Sequence, residues 1–146
     1  MTTTKILFLC TGNSCRSQMA EGWARALLGE QFDIYSAGIE AHGLNPKAIT
    51  VMKEAGVDIS HHRSQTLAEL DHDSFDYIFT VCDHARKTCP TPKQGKVILH
   101  QFDDPPRLSA RAESEEEALS IYRRVRDEIK FWVEQLPEQI SAPAGP

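Results

Sequence analysis

The chain reads as one α/β domain built on a small open parallel sheet of about four strands with helices on both faces, and three observations predict it. Short β-rich apolar runs recur at residues 5–10, 33–37, 77–82 and 96–100. Helical patterns alternate with them, and strands joined through helices run parallel with right-handed crossovers. The composition of the 146 residues, 40% hydrophobic and 25% charged, is that of a globular domain large enough to bury its own core. In such a sheet the ligand site belongs beyond the carboxyl ends of the strands.

The first run, KILFLC, is continuously apolar, as a strand covered on both faces must be. Residues 18–28 follow with helix formers and apolar side chains at helical spacing. Residues 33–37 form a second short strand, after which Gly38 and Gly43 punctuate a loop. Pro46 opens a helix through Ala55, and Gly56 closes it. YIFTVC (77–82) and KVILH (96–100) are further buried strands, separated by a segment carrying Cys89, Pro90 and Pro92. Ser114 and the three glutamates after it make a capping-box-like start for a last helix reaching about Leu136. Its stripe of Leu119, Tyr122, Val125, Ile129 and Val133 is expected to pack on the sheet. Trp23 and Trp132, also in helical patterns, are expected to be partly buried. The domain spans residues 1–140, and the tail 141–146, SAPAGP, is expected to be disordered.

A net charge of -5 argues against nucleic-acid or anionic-membrane partners, which require dense basic surfaces, so any anion must be captured locally. No apolar run approaches the ~20 residues of a membrane span. MTTTKILFLC lacks a basic region followed by a cleavable apolar stretch. A cytoplasmic, monomeric protein is expected, with its four cysteines reduced rather than forming a disulfide framework.

The end of the first strand carries the chemistry. Cys10-Thr11-Gly12-Asn13-Ser14-Cys15-Arg16-Ser17 lies between strand and helix. Five residues between a cysteine and an arginine let the backbone curl so that its N–H groups point at one tetrahedral oxyanion, with the helix N-terminus adding a favourable dipole. The Arg16 guanidinium can hold two oxygens at once, Gly12 relieves the tight turn, and Ser17 is placed to donate another hydrogen bond. The same donors favour a thiolate at Cys10, poised for attack on a phosphate-like centre.

This segment resembles the signature of the low-molecular-weight protein tyrosine phosphatase family: a cysteine, five residues, an arginine, then serine or threonine. Ser36-Ala37-Gly38 and Asp103-Asp104-Pro105 fall where that family has its SAG and Asp-Pro segments. The resemblance implies that Asp104 is the general acid that protonates a leaving oxygen. Asp103 is the competing assignment, because one residue of register decides which carboxylate reaches the pocket.

Cys82 and Cys89 flank CDHARKTC directly after the third strand. If that strand lies beside the first, Cys82 emerges at the same sheet edge as Cys10. On a helix, Cys82 and Cys89 would lie roughly 10 Å apart, so pairing them demands local unwinding. The three thiols in this order resemble the thioredoxin-coupled arsenate reductases. That resemblance implies a Cys10-arsenate adduct and a Cys10/Cys82/Cys89 disulfide relay. It also implies no bound cofactor, thioredoxin as external reductant, and arsenate or similar oxyanions as ligands. Some members bind potassium through an asparagine, a glutamate, a serine and an aspartate. Asn13, Glu21 and Ser36 match three of these, while Gln65 in the fourth place offers a neutral carbonyl and weakens the attraction for a hard cation.

Cys15 reads as a packing residue, the six histidines lack zinc spacing, and His84 reads as part of a solvated helix face. A phosphate-ester phosphatase is the alternative activity. Against it, Pro106-Arg107-Leu108 stands where such enzymes place tyrosines. A non-catalytic thiol sensor of arsenite or redox state is the alternative from another class, and it leaves the arginine-bearing loop without a purpose.

Overall fold

The computed structural model describes residues 4–10, 12–70, 74–81, 94–100 and 102–141. Four strands, β1 (Thr4–Cys10), β2 (Phe32–Gly38), β3 (Ser74–Thr80) and β4 (Gln94–Leu99), form one parallel sheet in the order β2-β1-β3-β4. β1 is central, in register with β2 from Thr4↔Phe32 to Cys10↔Gly38 and with β3 from Ile6↔Tyr77 to Leu9↔Thr80. Ile6, Leu7, Phe8 and Leu9 are all buried, so both faces of β1 are covered. The expected α/β sheet is therefore the one observed.

The edges of the elements differ from the sequence reading for local reasons. β3 begins at Ser74, not at residue 77, and a register shift between Ser74 and Tyr77 accompanies the burial of Phe75. Such an irregularity breaks the simple apolar run. Helix α1 (Arg16–Leu28) starts two residues earlier than its apolar spacing suggests. Helix α2 (Pro46–Glu54) is opened by Asn45, whose side chain accepts from Lys47 N at 2.9 Å and Ala48 N at 3.2 Å. A 3-10 turn at Leu67–Glu69 and a short helix α3 (Pro105–Ser109) were not expected. α3 begins on two prolines, whose missing N–H groups cost nothing in a first turn.

Helix α4 (Glu115–Ser141) runs five residues past Leu136, through Pro137. Packing carries it: Leu136 is buried, Ile140 lies against the core, and the Tyr77 hydroxyl donates to Ile140 O at 3.3 Å. Tyr122, Val125, Ile129 and Val133 are buried as expected, and Leu119 is partly so. The helix packs on α1 and α2, and Trp132 carries it onto the sheet, edge-on to Phe8 at 5.8 Å and Phe79 at 5.3 Å. Trp23 and Trp132 are more buried than expected, and Trp23 Nε1 donates to Arg126 O at 3.2 Å. Among the described residues no helix is long and apolar enough to cross a membrane. Thr11, Cys82, His84, Cys89 and the tail after Ser141 lie outside the described residues.

Candidate active site

Cys10 ends β1, opposite Gly38 of β2, at the carboxyl edge of the sheet where a parallel fold places its ligands. The loop that follows is held from outside by its carbonyls. Cys10 O accepts from Ile39 N at 3.2 Å, Gly12 O from His42 N at 2.9 Å, and Ser14 O from Asn45 N at 3.0 Å. None of the described peptide bonds is cis. In a trans peptide the N–H points opposite to the C=O that precedes it. The Asn13 and Cys15 amides therefore turn away from the segment 39–45, toward the hollow of the loop. Cys15 is the N-cap of α1, and its side chain makes no capping hydrogen bond. The first-turn amides therefore receive no bond from the cap side chain.

Asn13 organises the loop. It is the described non-glycine residue with positive φ, 48°, a conformation that asparagine tolerates better than most residues. Its buried side chain donates from Nδ2 to Ser17 Oγ at 2.9 Å and Ser36 Oγ at 3.0 Å. Its Oδ1 accepts from Gln65 N at 2.8 Å and Gln18 Nε2 at 3.0 Å. The left-handed residue is thus Asn13, which corrects the turn-relieving role expected of Gly12. Gly12 is needed for close approach instead, because a Cβ there would meet His42 Nδ1 at 2.3 Å. Ser17 accepts from Asn13 and keeps its hydroxyl hydrogen to donate.

Arg16 is aimed by its neighbours. One guanidinium nitrogen donates to Phe102 O at 3.0 Å, and the other lies 3.6 Å from Asp104 Oδ1. Asp103 faces elsewhere, paired with Arg124 at 3.0 Å. Of the two carboxylates left open by the sequence, Asp104 is the one beside the arginine. Cys15 is buried, and burial pushes its thiol up to about 12, which suits packing and not redox exchange.

Asn13, Glu21 and Ser36 do meet, but their oxygens are engaged. The Ser36 hydroxyl donates to Glu21 Oε1, and Arg25 Nε donates to Glu21 Oε2 at 2.7 Å. Gln65 enters with donors, not with its carbonyl: its backbone N reaches Asn13, and Nε2 reaches Ser36 O at 3.0 Å. The candidate potassium ligands thus meet in one hydrogen-bonded cluster, to which Gln65 brings no carboxylate. Among the described residues no three or more of His, Cys, Asp and Glu are grouped as a metal ion would require. Sequence reasoning missed Gln18, Arg25 and the segment 39–45. A glutamine among the apolar residues of the buried helical face was the available signal for Gln18, and an arginine four residues after Glu21 that for Arg25.

A cysteine at a strand end, an uncapped helix N-terminus and an aimed arginine define a phosphatase-like oxyanion site. The chain belongs to the low molecular weight phosphotyrosine protein phosphatase family, whose pattern it matches over residues 5–144, and within it stands with the arsenate reductases. It is 52% identical over 126 residues to an arsenate reductase of Halalkalibacterium halodurans, covering 85% of this chain and 88% of that one. It is 49% identical over 141 residues to an arsenate reductase of Bacillus licheniformis, covering 94% and 98%. A solved structure described as an arsenate reductase in the phosphate binding state superposes with a TM-score of 0.76 at 32% identity, covering 95% of this chain and all of that one.

Proposed function

We propose that this protein reduces arsenate to arsenite in the cytoplasm, with thioredoxin as its external reductant. The observation that carries the reading is the loop after β1. The carbonyls of Cys10, Gly12 and Ser14 are tied outward to residues 39–45 and Arg16 is held by Phe102 O, an arrangement that supports reading the loop as a cradle for a tetrahedral oxyanion in front of Cys10. About half the sequence is shared with proteins named arsenate reductase.

The Cys10 thiolate displaces one arsenate oxygen, which leaves as water with a proton from Asp104, and a sulfur–arsenic bond forms. The Cys82 thiolate attacks Cys10 Sγ. The sulfur–arsenic bond breaks with its electron pair going to arsenic, arsenite departs, and a Cys10–Cys82 disulfide remains. Cys89 then attacks Cys82 Sγ, which frees the Cys10 thiolate and leaves a Cys82–Cys89 disulfide. A thioredoxin dithiol returns this pair to thiols with two electrons, so no resident cofactor is needed. Arg16 and the amides of Gly12 to Ser17 hold the oxyanion throughout.

The test is steady-state arsenate reduction with thioredoxin, followed by disulfide mapping of trapped enzyme. Cys82→Ser and Cys89→Ser should each abolish turnover while Cys10 still takes up arsenate. Phosphate-ester hydrolysis untouched by either substitution, with no arsenate turnover in the parent protein, would replace the proposal with the phosphatase reading.

A further inference from the structure

Gln18 has no part in the scheme above, yet it is a fully buried polar side chain in the first turn of α1, two residues past Arg16. Its Nε2 lies 3.2 Å from Asn13 O, 3.0 Å from Asn13 Oδ1 and 3.1 Å from Arg63 O. Its Oε1 lies 3.0 Å from His62 Nδ1. Three oxygens around one nitrogen settle which end of the amide is which, because the flipped group would set oxygen against oxygen. Oε1 can only accept, so His62 Nδ1 carries the hydrogen between them. The glutamine is thereby anchored at both ends, to Arg63 O and His62 on one side and to Asn13 on the other.

The bond to Asn13 O bears on catalysis through peptide geometry. With that carbonyl drawn toward Gln18, the Ser14 N–H across the same trans peptide must point the other way, into the loop. Backbone preference does not hold this orientation, since Asn13 sits in the left-handed region that an L-residue enters at a cost of roughly 1–2 kcal/mol. We propose that Gln18 is a positioning residue for oxyanion capture, whose side-chain amide latches the Asn13 carbonyl and keeps the Ser14 N–H aimed at the bound anion. The proposal rests on reading the loop as an oxyanion cradle and is independent of the thiol relay.

Gln18→Met keeps the length and loses the donors, while Gln18→Glu places an oxygen where the nitrogen stands. The affinity for inorganic phosphate is measured by calorimetry on both variants, alongside KM and kcat for arsenate and circular dichroism. The Kd for phosphate and the KM should rise about tenfold with kcat nearly unchanged, since the Ser14 amide holds ground state and transition state alike. A folded variant with a lowered Tm but an unaltered phosphate Kd would reduce Gln18 to a structural role and overturn the latch. Should neither variant fold, the Ser14 amide resonance of the parent protein decides. A downfield shift on adding inorganic phosphate supports the proposal, and an unmoved signal ends it. No phosphate binding by the parent protein would sink the cradle and the latch together. Phosphate binding without arsenate turnover would sink only the relay.

Discussion

Asparagine substitution at the two adjacent aspartates separates a reacting group from a surface one. Asp104 lies 3.6 Å from an Arg16 nitrogen and is 38% exposed. The gap is short enough for charge attraction and too long for a direct hydrogen bond, so an oxygen remains available to a departing hydroxyl. Asp104 is the N-cap of α3 but makes no side-chain capping bond, and Asp104→Asn should therefore leave the fold intact. Loss of a general acid costs on the order of 10²- to 10⁴-fold in rate. Asp103, 60% exposed and paired with a half-exposed Arg124, sits in a surface ion pair of the kind that contributes roughly 0–1 kcal/mol to stability. In a coupled assay with arsenate, thioredoxin and thioredoxin reductase, kcat of Asp104→Asn should fall at least about 100-fold, the lower end of that range. Asp103→Asn should stay within about twofold of the parent, since a surface pair has no hold on turnover. Equal losses in the two variants, or an Asp104→Asn enzyme that keeps most of its kcat, would refute the assignment.

Three further outcomes follow from the same geometry. Gly12→Ala should weaken phosphate binding, measured by calorimetry, because its Cβ meets the His42 ring, and His42→Ala in the same chain should restore it. Cys15, with its thiol pushed up to about 12 by burial, should resist iodoacetamide at pH 8 and label only in urea, as read by peptide mass mapping. Burial also holds the His62 imidazole below its ordinary 6.5, against the opposing pull of Glu21. The unfolded chain then binds a proton that the folded one refuses, so stability is complete above that ordinary value and declines as pH falls below it. His62→Gln should flatten the urea-unfolding free energy between pH 7.5 and pH 5.5, leaving the share due to His100, which burial also lowers.

The sheet was legible because its strands are continuous apolar runs, which only a doubly covered parallel sheet explains. The Cys10 to Ser17 loop was legible because its chemistry is local in sequence, with nucleophile, amides and arginine inside eight consecutive residues. What aims the loop was not legible. Phe102 O on Arg16, His42 N on Gly12 O and Gln65 N on Asn13 Oδ1 are contacts between distant segments, all three made by backbone groups whose side chains give no hint. Asp103 stayed a competitor to Asp104 for the same reason, since what separates them is where Arg16 and Arg124 of α4 stand. Helix α4 overran its expected end because burial of Leu136 and Ile140 outweighs the hydrogen bond that Pro137 cannot donate.

Capture of a dianion by a chain of net charge -5 requires positive potential that is local and not cancelled from behind. Glu21, buried in the second turn of α1 and joined to Asn13 through Ser36, is the carboxylate placed to cancel it. Arg25 answers that charge at 2.7 Å and is itself fixed by donating to Ile34 O at 2.7 Å. The pair leaves no net charge behind the loop, and the groups that connect it to the loop, Ser36, Asn13, Gln18 and Ser17, are neutral amides and hydroxyls. No uncompensated charge behind the loop then works against Arg16 and the peptide N–H groups, and the carboxylate that faces Arg16 is that of Asp104. Neutral hydrogen-bonding partners can hold a backbone in an unfavourable conformation while adding nothing to the electrostatics of the site, and that is why polar uncharged residues surround Asn13 where ion pairs would have disturbed the anion.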